Sequence, residues 1–281
     1  MHSLQARGRE WLWNNPHLPF HPMRYGVNWV KWFDTGGWDE VFPSVSPVDI
    51  SPSNAGGTTL KVPDHGDLVT QPWSVDSVAD ERVVLSVNGR CAPFRFQRTW
   101  RLDGPMLHSY YELTGTRSFP WIWAAHPQFS LANGLQLDLP AQTPVLIRFA
   151  LGKMRFLTGR HLKWEELHAF CTDGTRRSIL DGQNGEPWAL KLFTEASSCQ
   201  TVKLRAPEAE LAINLDTKTI PHFGLWINSG GWSGSESAPY RNIVIEPTTA
   251  AHDSLAEAIL DGSARVLNPD KTYSWSFTVK V

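Results

Sequence analysis

The sequence predicts a mainly β fold, an antiparallel sandwich or barrel, and three observations lead to it. Short runs of β-branched and aromatic residues recur from residue 73 onward. Turn dipeptides such as Asn88-Gly89 and Asp103-Gly104 lie between them, with others at 133–134, 173–174 and 184–185. Helical periodicity is almost absent, a combination typical of antiparallel sheets. The predicted strands cover residues 83–87, 94–102, 107–113, 135–139, 145–150, 189–194, 201–204, 211–215, 223–227, 243–245 and 273–281.

The first part of the chain predicts a hairpin, a loop, a strand and a long irregular segment. Residues 3–5 and 10–13 form the predicted hairpin, which turns through residues 6–8. Three prolines within residues 14–25 favour a loop. Residues 27–33 have the β-branched and aromatic content of a strand, closed by Gly36-Gly37. Residues 41–63 are rich in Pro, Ser and Gly and predict an irregular surface segment.

Two stretches, residues 162–170 and 252–260, predict helices. In the second, Leu255, Ala258 and Ile259 form a weak apolar stripe after Asp253, which we expect to cap the helix. No internal repeat or linker divides the chain, and β-sandwiches of about 200–250 residues are common as one unit. We therefore expect residues 1–281 to form a single domain.

Composition limits the classes of partner. The chain has 281 residues, 41% hydrophobic and 19% charged, with a formal charge of -2. This charge provides no basic footprint for nucleic acid or for a membrane surface. No apolar run approaches the roughly 20 residues of a membrane span, and the first ten residues lack the apolar core of a signal peptide. Three scattered cysteines suit a reducing compartment. We expect a cytoplasmic protein, a monomer or homodimer, that binds neither nucleic acid nor membrane.

The stretch Trp121-Ile122-Trp123-Ala124-Ala125-His126-Pro127-Gln128-Phe129-Ser130-Leu131 holds one histidine among large aromatics. Histidine is the side chain that exchanges protons near neutral pH, so a partly buried one can serve as a proton donor. A core histidine beside tryptophans is the simpler alternative. Among common motifs, the phosphate-binding loop, the dinucleotide fingerprint and the nucleophile elbow are missing from the sequence, and no histidines have metal-ligand spacing. We expect neither a cofactor nor a metal.

Three dispersed residues are left as candidates: His65 in Pro63-Asp64-His65-Gly66-Asp67, His126, and Glu246 in Ile243-Val244-Ile245-Glu246-Pro247. A carboxylate that closes an apolar strand is either paired or catalytic, because burying it alone is costly. A salt bridge with an arginine, such as the nearby Arg241, is the structural alternative for Glu246. The 14 tryptophans are mostly expected in the core, but two or three can line a cleft, where their faces suit the C–H side of a pyranose.

Together these residues resemble the aldose 1-epimerase (galactose mutarotase-like) superfamily. The resemblance runs from about residue 26 to the C-terminus and combines several weak motifs in a shared order. They are Gly36-Gly37-Trp38-Asp39-Glu40-Val41-Phe42-Pro43, Pro63-Asp64-His65-Gly66, Trp73, His126-Pro127-Gln128-Phe129-Ser130-Leu131, Glu246-Pro247, Leu267-Asn268-Pro269 and Tyr273-Ser274-Trp275. The resemblance implies a large two-sheet β-sandwich with a sugar cleft across one sheet.

The resemblance also implies an activity and residue roles. A base takes the proton of the anomeric hydroxyl while an acid protonates the ring oxygen, so the sugar ring opens and closes on the other face. By position, His126 is the acid and His65 a sugar ligand. Lys271 stands where many relatives carry a glutamate base, and an ammonium cannot take that proton. Glu246 is therefore the expected base, with Asp67 and Glu40 as further candidates. The expected substrate-binding residues are His65, Trp73, Trp38, Asp67, Lys271 and Trp226.

Two further expectations concern the substrate and the class of protein. Val69 stands where sugar-phosphate relatives tend to carry an arginine, which argues against a phosphorylated sugar unless Arg98, Arg117 or Arg241 replaces it. The first functional hypothesis is a mutarotase that acts on a free aldose. The second, prompted by Lys271, is a carbohydrate-binding or sensing protein that has lost the base. A module of a sugar lyase or hydrolase system is a third, since one fold supports several chemistries.

Overall fold

The computed structural model describes residues 1–18, 24–51, 53, 57, 59–131, 135–171, 180, 186–233 and 239–281. Its first strands are β1 (Gln5–Ala6), β2 (Arg9–Glu10), β3 (Trp38–Val41), β4 (Val48–Ile50), β5 (Leu60–Val62), β6 (Ser74–Ala79), β7 (Arg82–Asn88), β8 (Phe94–Asp103), β9 (Met106–Gly115), β10 (Phe119–Trp121) and β11 (Ala124–Ser130). The others are β12 (Gln136–Asp138), β13 (Pro144–Gly152), β14 (His161–Lys163), β15 (Trp188–Thr194), β16 (Thr201–Ala206), β17 (Ala209–Leu215), β18 (His222–Ser229), β19 (Arg241–Thr248), β20 (Arg265–Leu267) and β21 (Tyr273–Lys280). The helices are α1 (Trp29–Trp32), α2 (Trp164–Cys171) and α3 (Leu255–Leu260).

Within these residues, the long strands form two antiparallel sheets that pack as a β-sandwich. One has seven strands in the order β14-β13-β15-β18-β19-β11-β3, and the other has eight in the order β12-β16-β17-β21-β9-β8-β7-β6. The predicted β-sandwich is therefore confirmed. All eleven strands predicted from residue 83 onward are present, and Asp103-Gly104 joins β8 to β9 as expected.

The seven-stranded sheet presents two chemically different faces because side chains alternate along a strand. Leu190 and Leu192 of β15 belong to the hydrophobic core shared with the other sheet. Lys191, between them, points to the opposite face and lines a cavity there. Each buried leucine stabilises the sandwich by about 1.5–3 kcal/mol. The core therefore fixes the register that sends Lys191 outward.

Residues 27–33, predicted to be a strand, contain the short helix α1 instead. Its first amides have side-chain acceptors, since Asn28 Oδ1 accepts from Lys31 N at 2.7 Å and Asp64 Oδ2 from Trp29 N at 2.8 Å. Such acceptors at a helix N-terminus stabilise it. Asp64 is distant in sequence, so this tertiary contact overrode the β propensity of the segment.

The remaining elements agree in part with prediction. The N-terminal hairpin is confirmed as β1 and β2. Residues 41–63, expected to be irregular, contain β4 and β5. The helices at 162–170 and 252–260 are confirmed as α2 and α3, but Ser254 is the N-cap of α3. Asp253, the expected cap, instead pairs with Lys191. In the same described ranges, no helix is long and apolar enough to cross a membrane.

Candidate active site

A cavity of about 320 Å³ lies on the outer face of the seven-stranded sheet. Strands β11, β15, β18 and β19 form its floor, and Trp29 and Val30 of α1 line it as well. Its volume is near the lower end of the range of small-molecule sites, roughly 300–1,000 Å³. The lining combines several aromatic rings with carboxylates, one ammonium and two imidazoles, and this mixture is typical of a site for a polar ligand with an apolar face.

His126 and Glu246 face each other in this cavity from the neighbouring strands β11 and β19. His126 Nε2 lies 3.7 Å from Glu246 Oε1, longer than a hydrogen bond. The two residues are 6% and 1% exposed. Neither His126 Nδ1 nor Glu246 Oε1 has a hydrogen-bond partner among the described residues. Buried polar atoms are rarely left unpaired, so Glu246 Oε1 is available to a hydrogen-bond donor from a ligand in the cavity.

The environment shifts the two pKa values in opposite directions. Burial, opposed by the Lys191 ammonium, leaves the pKa of Glu246 above that of an ordinary glutamate. Burial, together with the positive charges of His65 and Lys191, lowers the pKa of His126 well below its ordinary value. The carboxylate of Glu246 is therefore a stronger base than that of an ordinary glutamate, and the imidazolium of His126 is a stronger acid than that of an ordinary histidine.

Lys191 fixes one oxygen of Glu246 and leaves the other free. Its Nζ lies 2.5 Å from Glu246 Oε2 and 3.0 Å from Asp253 Oδ1. Burial alone would lower the pKa of Lys191, but the Asp253 and Glu246 carboxylates raise it above its ordinary value. Lys191 is therefore a charged clamp, and the free Oε1 of Glu246 is the atom that faces His126.

His65 lies on a strained backbone beside His126. Its φ is +58°, a left-handed conformation that only a few per cent of residues other than glycine adopt. The ring stacks on Trp29 at 4.1 Å and meets His126 edge-on at 5.5 Å. His65 Nδ1 is 3.0 Å from Asp64 Oδ1. Burial alone would raise the pKa of Asp64, but the hydrogen bond from His65 and backbone amides hold it below the ordinary value. Strain of this kind often marks a functional site.

A buried carboxylate, Asp34, anchors a second polar group in the cavity. Its Oδ1 accepts from Gln128 Nε2 at 2.7 Å, and its Oδ2 accepts from the Tyr240 hydroxyl at 3.0 Å. Asn242 Nδ2 donates in turn to Gln128 Oε1 at 2.7 Å. Burial raises the pKa of Asp34 despite these hydrogen bonds. The network holds amide and hydroxyl groups in fixed directions, as recognition of a polyhydroxyl ligand requires.

The structure brings four of the predicted site residues together, since the cavity is lined by His65, His126, Glu246 and Trp226. Glu246 forms a salt bridge with Lys191, whereas the structural alternative for Glu246 was a salt bridge with an arginine such as Arg241. No arginine lines the cavity among the described residues, so Arg98, Arg117 and Arg241 do not supply an anion contact there.

The other predicted ligands lie outside the cavity, and the structure corrects those assignments. Trp38 is buried in the core between Trp100 and Phe277. Its strand neighbour Asp39 is the register partner of His126. A one-residue offset moves a side chain to the other face of a sheet. Trp38 therefore faces the core.

Trp73, Asp67 and Lys271 have other surroundings. Trp73 donates to the Leu68 carbonyl. Asp67 accepts from the backbone amide of Arg90 at 2.6 Å, which is a structural role. Lys271 is exposed and lines a separate surface groove, so the expectation that it occupies the position of the base is wrong.

Glu40, named as a further candidate for the base, is also a structural residue. Its Oε1 lies 3.2 Å from Arg98 Nη1 and accepts from the Tyr111 hydroxyl at 2.9 Å. Its Oε2 accepts from Trp123 Nε1 at 3.0 Å. It does not line the cavity.

Sequence reasoning missed Lys191, Asp253, Asp34 and Trp29. Lys191 could have been recognised from the sequence as a buried charge, because it is a charged residue inside the apolar run Trp188-Ala189-Leu190-Lys191-Leu192-Phe193. A buried charge in such a run needs a partner. The other three lie in loops or in the helix mistaken for a strand, where periodicity carries no signal.

Comparison with solved structures supports the fold. The chain is similar to the Slr1438 protein from Synechocystis sp. PCC 6803, with 15% identity, a TM-score of 0.67, and coverage of 99% of this chain and 86% of that chain. It is similar to a putative aldose 1-epimerase from Escherichia coli K12, with 14% identity, a TM-score of 0.58, and coverage of 88% and 84%. It is also similar to a galactose mutarotase-like protein from Lactobacillus casei ATCC 334, with 14% identity, a TM-score of 0.62, and coverage of 97% and 90%.

No protein-family model matches the chain, and no curated protein matches it in sequence. At 14–15% identity, the structural likeness shows that the chain has a galactose mutarotase-like β-sandwich fold.

Proposed function

From this fold and its cavity, we propose that the chain is an aldose 1-epimerase-like enzyme that interconverts the α and β anomers of a free aldose. The observation that carries the proposal is the buried pair of His126 Nε2 and Glu246 Oε1, which lie 3.7 Å apart, with no hydrogen-bond partner for Oε1 among the described residues. Ring opening needs an acid and a base within reach of the same sugar, and these two groups line one small cavity.

The proposed reaction starts with Glu246 as a carboxylate and His126 as an imidazolium, and each group transfers one proton. Glu246 Oε1 takes the proton of the anomeric hydroxyl, and His126 Nε2 donates a proton to the ring oxygen. The bond between C1 and the ring oxygen breaks as the C1 carbonyl forms. After rotation about C1–C2, the hydroxyl that was the ring oxygen attacks the other face of C1 and returns its proton to His126. Glu246 then returns its proton to O1, so both groups regain their starting state.

The neighbouring side chains support this assignment. The raised pKa of Glu246 makes its carboxylate a stronger base, and the lowered pKa of His126 makes its imidazolium a stronger acid, so both shifts favour the proposed proton transfers. Lys191 holds Oε2 of Glu246, so Oε1 alone is free to act. In this proposal His65 and the Asp34 network hydrogen-bond the sugar hydroxyls. Fixed partners of this kind reduce the entropy lost when the reacting groups are aligned.

Polarimetry on freshly dissolved α anomers tests the proposal. With glucose, galactose, xylose and arabinose, we expect the relaxation rate of at least one sugar to rise in proportion to protein concentration. If the rate with every sugar equals that in buffer, the proposal fails.

A carbohydrate-binding protein without turnover is the second candidate. Lys271 lies outside the cavity, so the presence of a lysine at that position does not support loss of the base. Calorimetry showing sugar binding together with unchanged polarimetry would favour it.

Gly224 lies next to the Glu246 side chain. We expect Gly224→Ala to displace the Glu246 carboxylate, which is the proposed base. An added Cβ would be 2.7 Å from Glu246 Oε2 and 3.0 Å from the Phe193 ring. Lys191 holds Oε2, so the carboxylate cannot withdraw freely. Gly224→Ala should lower the exchange rate per folded molecule at least about tenfold and the free energy of unfolding by about 1–3 kcal/mol. Polarimetry and urea unfolding measure the two effects, and a wild-type exchange rate would contradict the placement.

The charge of the cavity predicts a preference for uncharged sugars. Asp34, Asp64, Glu246 and Asp253 line it, and Lys191 is the one ammonium or guanidinium among its described lining residues. A sugar carboxylate therefore meets like charge. We expect glucuronate to bind at least about tenfold more weakly than glucose. Glucuronamide, which has nearly the same shape without the charge, is the control and should bind like glucose. Calorimetry gives the three affinities, and equal binding of glucuronate would contradict the charge argument.

A further inference from the structure

Three aromatic rings form a corner at one end of the cavity. This aromatic corner consists of Phe149, Trp226 and Trp232. Phe149 lies parallel to Trp226 with ring centroids 6.2 Å apart, and Trp232 meets both rings edge-on at 6.1–6.3 Å. All three residues line the cavity. Phe149 and Trp232 are 38% and 37% exposed, although large aromatic rings are usually buried more fully.

The backbone is built to present the ring of Phe149 to the cavity. The register of β13 against β15 shifts between Ile147 and Phe149. Regular pairing after Ile147 and Leu192 would set Arg148 opposite Lys191, but the bulge sets Phe149 there instead. A bulge re-aims one side chain at the expense of ladder hydrogen bonds. Arg148 donates to the Ala251 carbonyl at 3.1 Å.

The third ring, Trp232, is held by the buried Asn228. Asn228 Nδ2 donates to the Trp232 carbonyl at 2.8 Å, and its Oδ1 accepts from the Trp232 amide at 3.1 Å. Both hydrogen bonds come from a side chain that is fully buried at the end of β18. The aromatic corner is therefore a fixed part of the sheet surface.

The aromatic corner begins at Trp226 on β18, the strand next to that of Glu246, and continues away from the acid–base pair to Phe149 on β13. His126 is on β11, and β19, β18 and β15 separate it from Phe149 on β13. Four strand spacings of about 4.8 Å separate the backbones of β11 and β13 by roughly 19 Å, although side chains that lean toward each other lie closer. A pyranose whose C1 lies beside His126 and Glu246 would meet Trp226 first, so Phe149 on β13 and Trp232 beyond β18 are the rings available to a further sugar unit.

We propose that the aromatic corner is a second subsite that stacks a further pyranose unit, so that the ligand is a reducing disaccharide. This inference rests on the proposed function, which places the free anomeric carbon at His126 and Glu246. The second sugar is then linked through another hydroxyl and extends along the floor toward β13. The C–H face of a pyranose is apolar and lies flat on an aromatic ring, whereas its hydroxyls stay in water at the rim. The uncharged surface of the rings fits an uncharged sugar.

Calorimetry with the Glu246→Gln variant tests the subsite without turnover. The probes are glucose with maltose and cellobiose, and galactose with β-1,4-galactobiose. We expect at least one disaccharide to bind ten times more tightly than its reducing monosaccharide. Adding Trp232→Ala or Phe149→Ala should remove that gain and leave the monosaccharide affinity unchanged. Trp32→Ala, which removes an exposed tryptophan outside the cavity, is the control and should keep the gain.

The outcomes separate this inference from the proposed function. If monosaccharides are epimerised but no disaccharide binds more tightly, the subsite is wrong and the enzyme assignment stands. A gain that survives both Trp232→Ala and Phe149→Ala also overturns the subsite. If the gain is present and depends on these rings but polarimetry shows no turnover, the subsite stands as a binding site and the proposed function fails.

Discussion

Replacing Glu246 by glutamine is expected to lower the rate of anomer exchange about 10²–10⁴-fold, the usual contribution of a positioned acid or base. The amide oxygen of glutamine can keep the hydrogen bond from Lys191, so the shape of the site is conserved. The amide cannot accept a proton from the anomeric hydroxyl, so the base is lost. Polarimetry gives the rate, and calorimetry should show sugar binding within a few-fold of wild type.

The matched control is Glu40→Gln, which changes another buried glutamate with a basic partner. Glu40 pairs with Arg98 outside the cavity. Its change should lower the free energy of unfolding, because Arg98 loses its counter-charge, but the folded protein should exchange anomers at the wild-type rate. If both variants lose activity equally, or if Glu246→Gln keeps the wild-type rate, Glu246 is not the base.

Replacing Lys191 by methionine is expected to move the whole pH profile of anomer exchange to higher pH. The active pair holds one proton, so the rate should be bell-shaped in pH, with two apparent pKa values that belong to the pair. The Lys191 ammonium lowers the pKa of both Glu246 and His126. Without it both pKa values rise, and the acid and alkaline limbs shift upward together. Rates measured between pH 4 and pH 9 would show this, and an unchanged profile would contradict the role of Lys191.

The same variant should be less stable, and increasingly so as pH rises. Loss of one partner of a buried ion pair costs about 3–5 kcal/mol. The pKa of Glu246 in the folded variant is raised further above its unfolded value, so the stability contributed by the neutral carboxyl is lost as pH rises through that pKa. Urea unfolding at pH 5 and pH 8 measures the difference.

The control for the Lys191 variant is Lys203→Met, because Lys203 pairs with Glu210 on the exposed part of β16 and β17. It should change stability by no more than about 1 kcal/mol and leave the pH profile of anomer exchange in place. A destabilisation of Lys191→Met that is equal at pH 5 and pH 8 would contradict the charge argument.

Local patterns predicted much of the sheet framework, for physical reasons visible in β8 and β9. Alternating apolar residues and the Asp103-Gly104 turn specify a hairpin without help from the rest of the chain. Strand β11 gave no such signal, because six of its seven residues are buried and it contains Pro127. Helix α1 was mistaken for a strand because one of its stabilising contacts, Asp64, lies 35 residues from Trp29.

Some site residues stand out in the local sequence, and others can be recognised only from the three-dimensional structure. His65, His126 and Glu246 were found as polar residues in distinctive local surroundings, and the structure brings them together. Lys191 and Asp253 could not be assigned to the site from the sequence. Lys191 lies near Glu246 because the strand order places β15 two strands from β19, with β18 between them. Trp38 was assigned to the site because the tryptophan pattern does not show which face of β3 it occupies. The single domain, the oligomeric state and the cytoplasmic location stay predictions.

The most direct test of the proposed acid–base pair is exchange NMR on a free aldose labelled with ¹³C at C1. The wild-type protein should produce exchange cross-peaks between the α and β anomers at mixing times where buffer produces none. His126→Asn, which keeps a polar side chain of similar size, should bind the sugar and produce none. Cross-peaks of wild-type intensity with His126→Asn, or none with the wild-type protein on any aldose, would contradict the assignment of His126 and Glu246 as the reacting pair.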